Sequence, residues 1–220
     1  MLINKQNGFG LLELMLAMSL SVLLCIGVFH IFSTLQNLHH QEMILSSIQE
    51  KTRFLSGFLR EKIEMAGDWS CLSKSPGSQS LSAKGYDSDA ALEKLGLSIK
   101  SKTDLLQLHE CIRLYDRMQY LPVEFFVANT FRVDDQHHEI DALFFKVGHH
   151  PREELITHVD KFNILFGIES ENHKNIISYV DTHSTINKEP IGAIKINYHI
   201  VADENLSQSG VLYAAIQKAE

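Results

Sequence analysis

The chain has 220 residues, of which 45% are hydrophobic and 21% are charged, and its formal net charge is -7. This length suits one soluble domain with an appendage. The acidic balance argues against a nucleic-acid-binding surface, which is normally basic, so no direct nucleic-acid partner is expected.

The first 32 residues divide into a short polar segment and a long apolar segment. Residues 1–8, MLINKQNG, carry one positive charge, Lys5, and end in glycine. Residues 9–32 are apolar, and as a helix they would rise about 36 Å, enough to cross a hydrocarbon core of about 30 Å. A secretory signal peptide would have a shorter apolar run ending in a small-residue cleavage motif, and no such motif follows Phe32. Residues 9–32 are therefore predicted to be a transmembrane helix in the lipid bilayer.

Glu13 is the only carboxylate in this apolar run. A charge near the bilayer centre costs about 2.5–3.5 kcal/mol, and less near the edge, so a partner for it is expected. Cleavage after Gly8 would create that partner, because the new amine of Phe9 in a neighbouring subunit is positively charged. The pairing would neutralise both charges and fix the axial register of stacked subunits. The alternative is a hydrated Glu13 at the membrane interface.

Residues 8–14, GFGLLEL, resemble the class III signal of type IV prepilins. In that family a prepilin peptidase cuts after the glycine and methylates the new phenylalanine amine, and the glutamate aids assembly of the filament. The resemblance implies cleavage between Gly8 and Phe9, N-methylation of Phe9 and an assembly role for Glu13. Gly10 departs from the family pattern, which usually has threonine or serine there.

Residues 33–66 continue the helical pattern without a proline. Their apolar residues recur at spacings of three, four and seven, which defines one stripe on a helix. The stripe consists of Leu35, Leu38, Leu45, Ile48, Leu55, Phe58, Leu59 and Ile63. A single helix of about 55 residues is predicted, with the stripe of its second half packed on a sheet; a coiled coil with a partner is the alternative. Gly67 is a stop signal for this helix.

The chain has three cysteines, and one of them, Cys25, lies in the apolar run. If the soluble part is exported, Cys71 and Cys111 are the pair available for a disulfide. In the chain-entropy model such a bond would stabilise the domain by about 4 kcal/mol. Two reduced, buried thiols are the alternative.

Residues 49–71, QEKTRFLSGFLREKIEMAGDWSC, are similar to the same stretch of PilW-type minor pilins of the type IV pilus. The matching residues are Arg53, Phe54, Phe58, Leu59, Ile63, Met65, Ala66, Gly67, Trp69 and Cys71. The resemblance implies a minor pilin. Two departures from major pilins agree with it, since His30 stands where those chains often have proline and no cysteine follows Cys111. Residues 159–168, VDKFNILFGI, also resemble a PilW-type segment.

Residues 67–220 are predicted to form a periplasmic sheet domain. Residues 72–103 are rich in serine, glycine and lysine and indicate a long loop, with at most a short helix near residues 90–95. Strands are predicted at residues 104–111, 123–132, 141–147, 158–168 (which could begin as a helix), 192–201 and 211–216, the last at an edge. A long helix followed by strands indicates an α+β, type IV pilin-like fold, with the helix packed on an antiparallel β-sheet.

No pattern in the chain predicts a catalytic residue, a metal site or a cofactor. The histidine pairs His39-His40, His137-His138 and His149-His150 lack the i, i+4 spacing that puts two ligands on one helix face. The acidic pairs Asp134-Asp135 and Glu153-Glu154 lack the pattern of a calcium loop. Nucleophile-elbow, P-loop and dinucleotide-binding motifs are missing as well, so the chain is expected to be a peptidase substrate and not an enzyme.

The resemblances imply a minor pilin that helps prime and assemble the type IV pilus. Its implied partners are the prepilin peptidase, other minor pilins, the major pilin and the inner-membrane assembly platform. It would sit in the inner membrane by one N-terminal helix, with its soluble domain in the periplasm, and then enter the pilus, or fimbrium. The first alternative is a type II secretion pseudopilin of the GspJ kind. A membrane-anchored periplasmic sensor or adhesin is a lower alternative, and a tethered hydrolase comes last.

Overall fold

The computed structural model describes residues 10–72, 83–134, 137–170, 175–182, 191–203 and 206–216, with the backbone alone at residues 202–203. The elements in these ranges are α1 (Leu11–Met65), β1 (Ala83–Tyr86), α2 (Ser88–Leu95), β2 (Leu105–Leu114), β3 (Arg117–Val133), β4 (Glu139–Val147), β5 (Glu153–Thr157), β6 (Val159–Glu169), β7 (Ile176–Asp181), β8 (Ile191–Asp203) and β9 (Leu206–Ala215). The backbone forms two units, one that ends at Ser46 and one that begins at Ser47.

The 55 residues of α1 confirm the predicted long helix. It begins where the carbonyl of Gly10 accepts hydrogen bonds from the backbone amides of Glu13 (3.0 Å) and Leu14 (3.2 Å). It ends just before Gly67, which has a φ of 89° and donates its N–H to the carbonyl of His109 at 3.1 Å. Glycine suits this left-handed position because it has no Cβ to clash, so the predicted stop signal is confirmed.

The apolar stripe of α1 is buried over a shorter length than predicted. Leu35, Leu38 and Leu45 are exposed, and the buried part begins at Ile48. The expectation that the first three leucines pack on a sheet is wrong, because they belong to the unit that ends at Ser46, in which the described residues form only the helix. From Ile48 onward the periodicity of three and four marks the buried face, as predicted.

The second unit is an α+β domain with the last turns of α1 in its core. Leu55, Leu59 and Ile63 of α1 are fully buried among inward-facing residues of the strands. The ring of Phe58 meets those of Phe125 and Phe145 edge-on, with centroids 6.2 and 5.7 Å apart. Such edge-to-face pairs add about 0.5–1.5 kcal/mol each to the burial of their area. The predicted packing of a long helix on antiparallel strands is confirmed.

The strands form two antiparallel sheets, where a single sheet was expected. One sheet has the order β1-β2-β3-β4-β5 and the other has the order β7-β6-β8-β9. The change of sheet occurs at His158, the single residue between β5 and β6, which has a φ of 65°. Its N–H donates to the carbonyl of Asp141 in one sheet at 2.7 Å, and its own carbonyl accepts from Val201 in the other at 2.8 Å. The predicted helical start at His158 is therefore wrong.

A second, smaller apolar cluster covers the other face of the five-stranded sheet. Ala91 of α2 packs with Phe126, Phe144 and neighbouring residues of β2, β3 and β4. The side chain of Asp87 caps α2 by accepting from the N–H of Ala90 at 2.7 Å. The predicted short helix is thus present, and it starts two residues before residue 90 because of this cap.

Candidate assembly site

The structure places Glu13, the candidate assembly residue, in the first turn of α1. The other two residues of the expected processing site, Gly8 and Phe9, lie outside the described residues. The side chain of Glu13 is exposed, and no described residue forms a hydrogen bond or an ion pair with its carboxylate. A negative charge is favoured in the first turn because the helix dipole is positive there. The helix dipole and the charge of Glu13 therefore stabilise the start of α1, but the dipole is not a hydrogen-bond or ion-pair partner for the carboxylate.

The helix behind Glu13 exposes apolar side chains around its whole circumference. Every described side chain from Leu11 to Phe32 is exposed. The helix contains an 18-residue window with a mean hydropathy of 2.3, and none of that window is buried. This segment is therefore not a core helix of the domain. It is long and apolar enough to cross a membrane, although a signal sequence near an N-terminus has the same properties.

The serine hydroxyl groups in this part of α1 donate hydrogen bonds to backbone carbonyls of the same helix. Ser19 donates to the carbonyl of Leu16 and Ser21 donates to that of Ala17, both at 2.9 Å. Side chains bonded in this way hide their polarity from an apolar environment. A carboxylate has no hydrogen to donate to a carbonyl, so Glu13 cannot be satisfied by the same means. It is the residue of this segment that needs a donor from outside the helix.

The end of α1 is tied to β2 by a partly buried ion pair. The Nζ atom of Lys62 lies 2.7 Å from Oε1 of Glu110, whose side chain is only 4% exposed. Glu110 and His109 are neighbours in β2, and His109 accepts the N–H of Gly67. A carboxylate buried to this degree needs its counter-charge, because desolvation without a partner is costly. The ion pair and the backbone hydrogen bond therefore fix the end of α1 against β2.

A disulfide between Cys71 and Cys111 joins the turn after α1 to β2. The two Cα atoms are 5.8 Å apart, and the backbone N–H of Cys71 points at Sγ of Cys111 from 3.1 Å. Beside it, Nε1 of the Trp69 indole donates to the Tyr120 hydroxyl at 3.1 Å. Burial raises the pKa of Tyr120, and the hydrogen bond from Trp69 offsets part of that rise. The turn is thus joined to β2 by a covalent bond and to β3 by a side-chain hydrogen bond.

The stretch that carries the PilW-type resemblance is the one that joins α1 to the sheets. Leu59, Ile63 and Ala66 are buried in the core, and Gly67 takes the left-handed turn. Four further matches supply the ring contact between Phe54 and Phe58, the Trp69 hydrogen bond and the Cys71 disulfide. Most of these residue types therefore follow from the structure of the junction.

A buried polar group that the sequence did not single out lies inside the five-stranded sheet. Glu124 on β3, which is 4% exposed, accepts from Nε2 of Gln107 on β2 at 3.0 Å and from Nζ of Lys146 on β4 at 3.1 Å. The three residues are direct cross-strand partners. The sequence alone could not identify this group, because the three residues are not regularly spaced along the chain. Only the pairing register of the strands brings them together. Their role is to fix the pairing of three strands.

The structure describes all the histidines and acidic residues weighed as metal ligands except Asp135. Within the described ranges, no group of three or more His, Cys, Asp or Glu side chains could hold a metal ion. His138 has one acidic neighbour, with its Nδ1 3.5 Å from Oδ2 of Asp134 at an exposed position. Two open cavities of about 400 and 420 Å³ lie beside α1 and α2, and polar residues contribute to the lining of both. Neither presents the apolar pocket with convergent polar groups that is typical of a ligand site.

Replacing Lys62 with methionine is expected to lower the free energy of unfolding by about 3 kcal/mol, because Glu110 would stay buried without its counter-charge. Denaturant unfolding of the full-length chain in detergent measures this loss. Replacing both Lys62 and Glu110 with methionine should restore most of the stability, since an apolar pair of similar volume carries no desolvation penalty. A Lys62→Met chain as stable as the parent chain would contradict the ion-pair argument.

Comparison with known proteins gives one match, at the N-terminus. Residues 3–29 match the family model described as the prokaryotic N-terminal methylation motif. No curated protein and no solved structure matches the chain. The matched range contains the expected cleavage position, Glu13 and most of the exposed apolar part of α1.

Proposed function

We propose that this chain is a minor pilin of the PilW type, which helps to prime and assemble a type IV pilus together with other minor pilins and the major pilin. Its N-terminal methylation motif supports a type IV pilin or pseudopilin, and thus a structural protein rather than an enzyme. The motif and the apolar helix are consistent with membrane anchoring and with a pilus. The PilW-type assignment is supported by the resemblance over residues 49–71.

The observation that carries the proposal is the carboxylate of Glu13, which has no partner among the described residues and lies in an exposed apolar helix directly inside the methylation motif. An isolated charge in such a segment is costly in a membrane, so it is retained for a function. A neighbouring subunit that offers the amine of its Phe9 supplies the missing positive charge. Charge neutralisation then occurs only when subunits associate, which makes it an assembly signal.

In this proposal each segment of the chain has one task. The prepilin peptidase removes residues 1–8 and methylates Phe9. Residues 9–32 hold the subunit in the inner membrane and later pack among the helices of the filament. Residues 33–66 continue that helix, and residues 67–220 form the periplasmic domain that presents side surfaces to other minor pilins and to the assembly platform.

The second candidate is a type II secretion pseudopilin of the GspJ kind. The methylation motif favours it equally, because pilins and pseudopilins share the processing step. The genes beside this one distinguish the two functions, since pilus genes and secretion genes form different sets. Co-purification of the full-length chain with candidate minor pilins distinguishes them biochemically: recovery of secretion components instead would replace the pilus proposal.

Replacing Gly8 with leucine is expected to block processing, because the peptidase would meet a bulky side chain at the cleaved bond. Intact-mass measurement should then find the leader still attached, whereas the parent chain should start at Phe9 with one added methyl group. Gly10→Ala is the matched control, since an added Cβ at Gly10 meets no atom within 4 Å. A mature-size Gly8→Leu chain would remove the cleavage proposal, and an uncleaved parent chain would remove the pilin proposal.

A further inference from the structure

The chain passes from the five-stranded sheet to the four-stranded sheet through one residue, His158. Its N–H donates to the carbonyl of Asp141 on β4 at 2.7 Å, and its carbonyl accepts from the N–H of Val201 on β8 at 2.8 Å. Its φ of 65° is a left-handed conformation, which histidine and asparagine adopt more readily than most residues. This single residue therefore reverses the chain and forms hydrogen bonds to both sheets.

The imidazole ring of His158 lies where protonation is unfavourable. Its Nδ1 atom is buried and forms no hydrogen bond with any described residue. In neutral imidazole one nitrogen carries the hydrogen, so Nδ1 can remain without one. In the cation both nitrogens carry a hydrogen, and Nδ1–H would be a buried donor without an acceptor, which costs free energy.

Charged side chains act on this ring from several elements. Among the described residues they are Lys51 of α1, Arg132 of β3, Asp134 just after β3 and Glu154 of β5. Burial of the ring lowers the pKa of His158, and the two cations lower it further. The two carboxylates offset part of this decrease. The folded protein therefore keeps this histidine neutral at a pH at which an unfolded chain binds a proton.

A charged bridge beside the connection joins the two sheets independently of His158. Nζ of Lys100 lies 2.8 Å from Oδ2 of Asp141 on β4 and 2.7 Å from Oδ1 of Asp160 on β6. The hydrogen bond from Lys100 lowers the pKa of Asp160. On β8, Nδ1 of His199 lies 3.6 Å from Oδ2 of Asp160, so a proton on that ring would face a carboxylate. Mild acid therefore leaves the bridge intact.

We propose that His158 is a pH-sensitive connection: its protonation breaks the hydrogen bond between its carbonyl and Val201 and opens the chain locally, while the Lys100 bridge holds the sheets together. Above the ordinary histidine pKa of about 6.5, the ring is neutral whether the connection is closed or open. Below that value the open form binds a proton that the closed form excludes, so acid favours opening until the pH reaches the lowered pKa of the closed form. The proposal does not rest on the pilin function.

Hydrogen exchange of single backbone amides, followed by NMR on the full-length protein in detergent, tests the proposal. The measured quantity is the exchange rate of the Val201 amide divided by that of the Ile196 amide, which lies in the middle of β8 with its side chain fully buried. Both rates contain the same pH dependence of intrinsic exchange and of global unfolding, so the ratio reports local opening. Between about pH 7.5 and about pH 5.5, uptake of one proton should raise the ratio by up to roughly tenfold. A constant ratio would overturn the proposal.

His158→Asn is the decisive variant, because asparagine tolerates the left-handed conformation and does not titrate. Its ratio should be the same at both pH values. His149→Asn, which replaces an exposed histidine in the turn after β4, is the matched control and should behave like the parent chain. A pH-dependent ratio that persists in His158→Asn would also overturn the proposal.

Lys51→Gln tests the same connection without changing His158. Nζ of Lys51 donates to Oγ1 of Thr157 at 3.2 Å, and glutamine keeps a donor there while removing the charge. The closed form should then accept a proton more easily, so the ratio should rise less between the two pH values than in the parent chain. This variant decides the question if the His158→Asn chain does not fold, since a rise equal to that of the parent would contradict the electrostatic argument.

Discussion

Glu13→Ala is expected to leave leader cleavage intact and to abolish assembly of the subunit into surface filaments. Under the proposed function, cleavage depends on the residues around Gly8, whereas the carboxylate is needed only to neutralise the Phe9 amine of a neighbouring subunit. An unpaired charge in the membrane costs up to about 2.5–3.5 kcal/mol, so losing the pair weakens association by up to roughly a hundredfold. Filaments on cells that carry only the variant are counted by electron microscopy, and intact mass verifies processing.

The controls for this prediction come from the same helix. Glu13→Gln keeps the size and removes the charge, so it should fail as Glu13→Ala does. Ser19→Ala removes a hydroxyl that bonds only to its own helix, through the carbonyl of Leu16, and should leave assembly unchanged. Normal numbers of filaments with Glu13→Ala would contradict the pairing of Glu13 with the amine.

Replacing both Cys71 and Cys111 with serine is expected to lower the free energy of unfolding by about 4 kcal/mol. The bond joins residues 40 apart in the chain, so its loss returns considerable freedom to the unfolded state. Whole domains are stable by only about 5–15 kcal/mol, so such a loss is severe. Denaturant unfolding of the full-length chain in detergent measures the change in midpoint.

Reduction of the parent chain should reproduce the effect of the double serine variant. Cys25→Ser is the control, because Cys25 is exposed on the apolar part of α1 and forms no disulfide. An unchanged midpoint in the double variant would show that the cysteines do not stabilise the fold. The alternative from the sequence, two reduced and buried thiols, predicts that outcome together with insensitivity to reductant.

The helix was predictable because its signals are local. A run of apolar residues without proline, followed by a stripe and a glycine, is sufficient to define α1 from Leu11 to Met65. The predicted extent of the buried stripe was too long, since periodicity marks a face of a helix without saying what lies against it. Leu35, Leu38 and Leu45 fit the pattern as well as Leu59 does, but they are exposed, and the described residues of their unit form only the helix.

The strands were predictable where they alternate over many residues, and this covered six of the nine described strands. The three missed ones, β1, β5 and β7, are short edge strands. β5 begins with Glu153-Glu154, which resembles an exposed turn, although charge is what protects such an edge. The division into two sheets depends on the conformation of His158, and no local pattern predicts a left-handed histidine between two strands.

For the candidate site, the sequence predicts a role for Glu13, and the structure places that residue in the first turn of α1. Glu13 was singled out by its charge alone. The ion pair between Lys62 and Glu110 and the hydrogen bond between Trp69 and Tyr120 join residues 48 and 51 apart, so they required the fold. Most of the residues that carry the resemblance over residues 49–71 lie in the junction between α1 and the sheets, which the sequence alone does not show.

The unbroken length of α1 has a mechanical consequence. Tension applied to the apolar part of α1 is transmitted along one continuous helix. The hydrogen bonds of that helix lie nearly parallel to the applied force. At the far end the load reaches Cys71 and passes through a covalent bond into β2. The first structure to yield under force should therefore be the helix itself, by extension of its turns, while the sheets stay folded behind the disulfide. Under the proposed function, this arrangement would let the subunit be drawn out of a membrane without unravelling its domain.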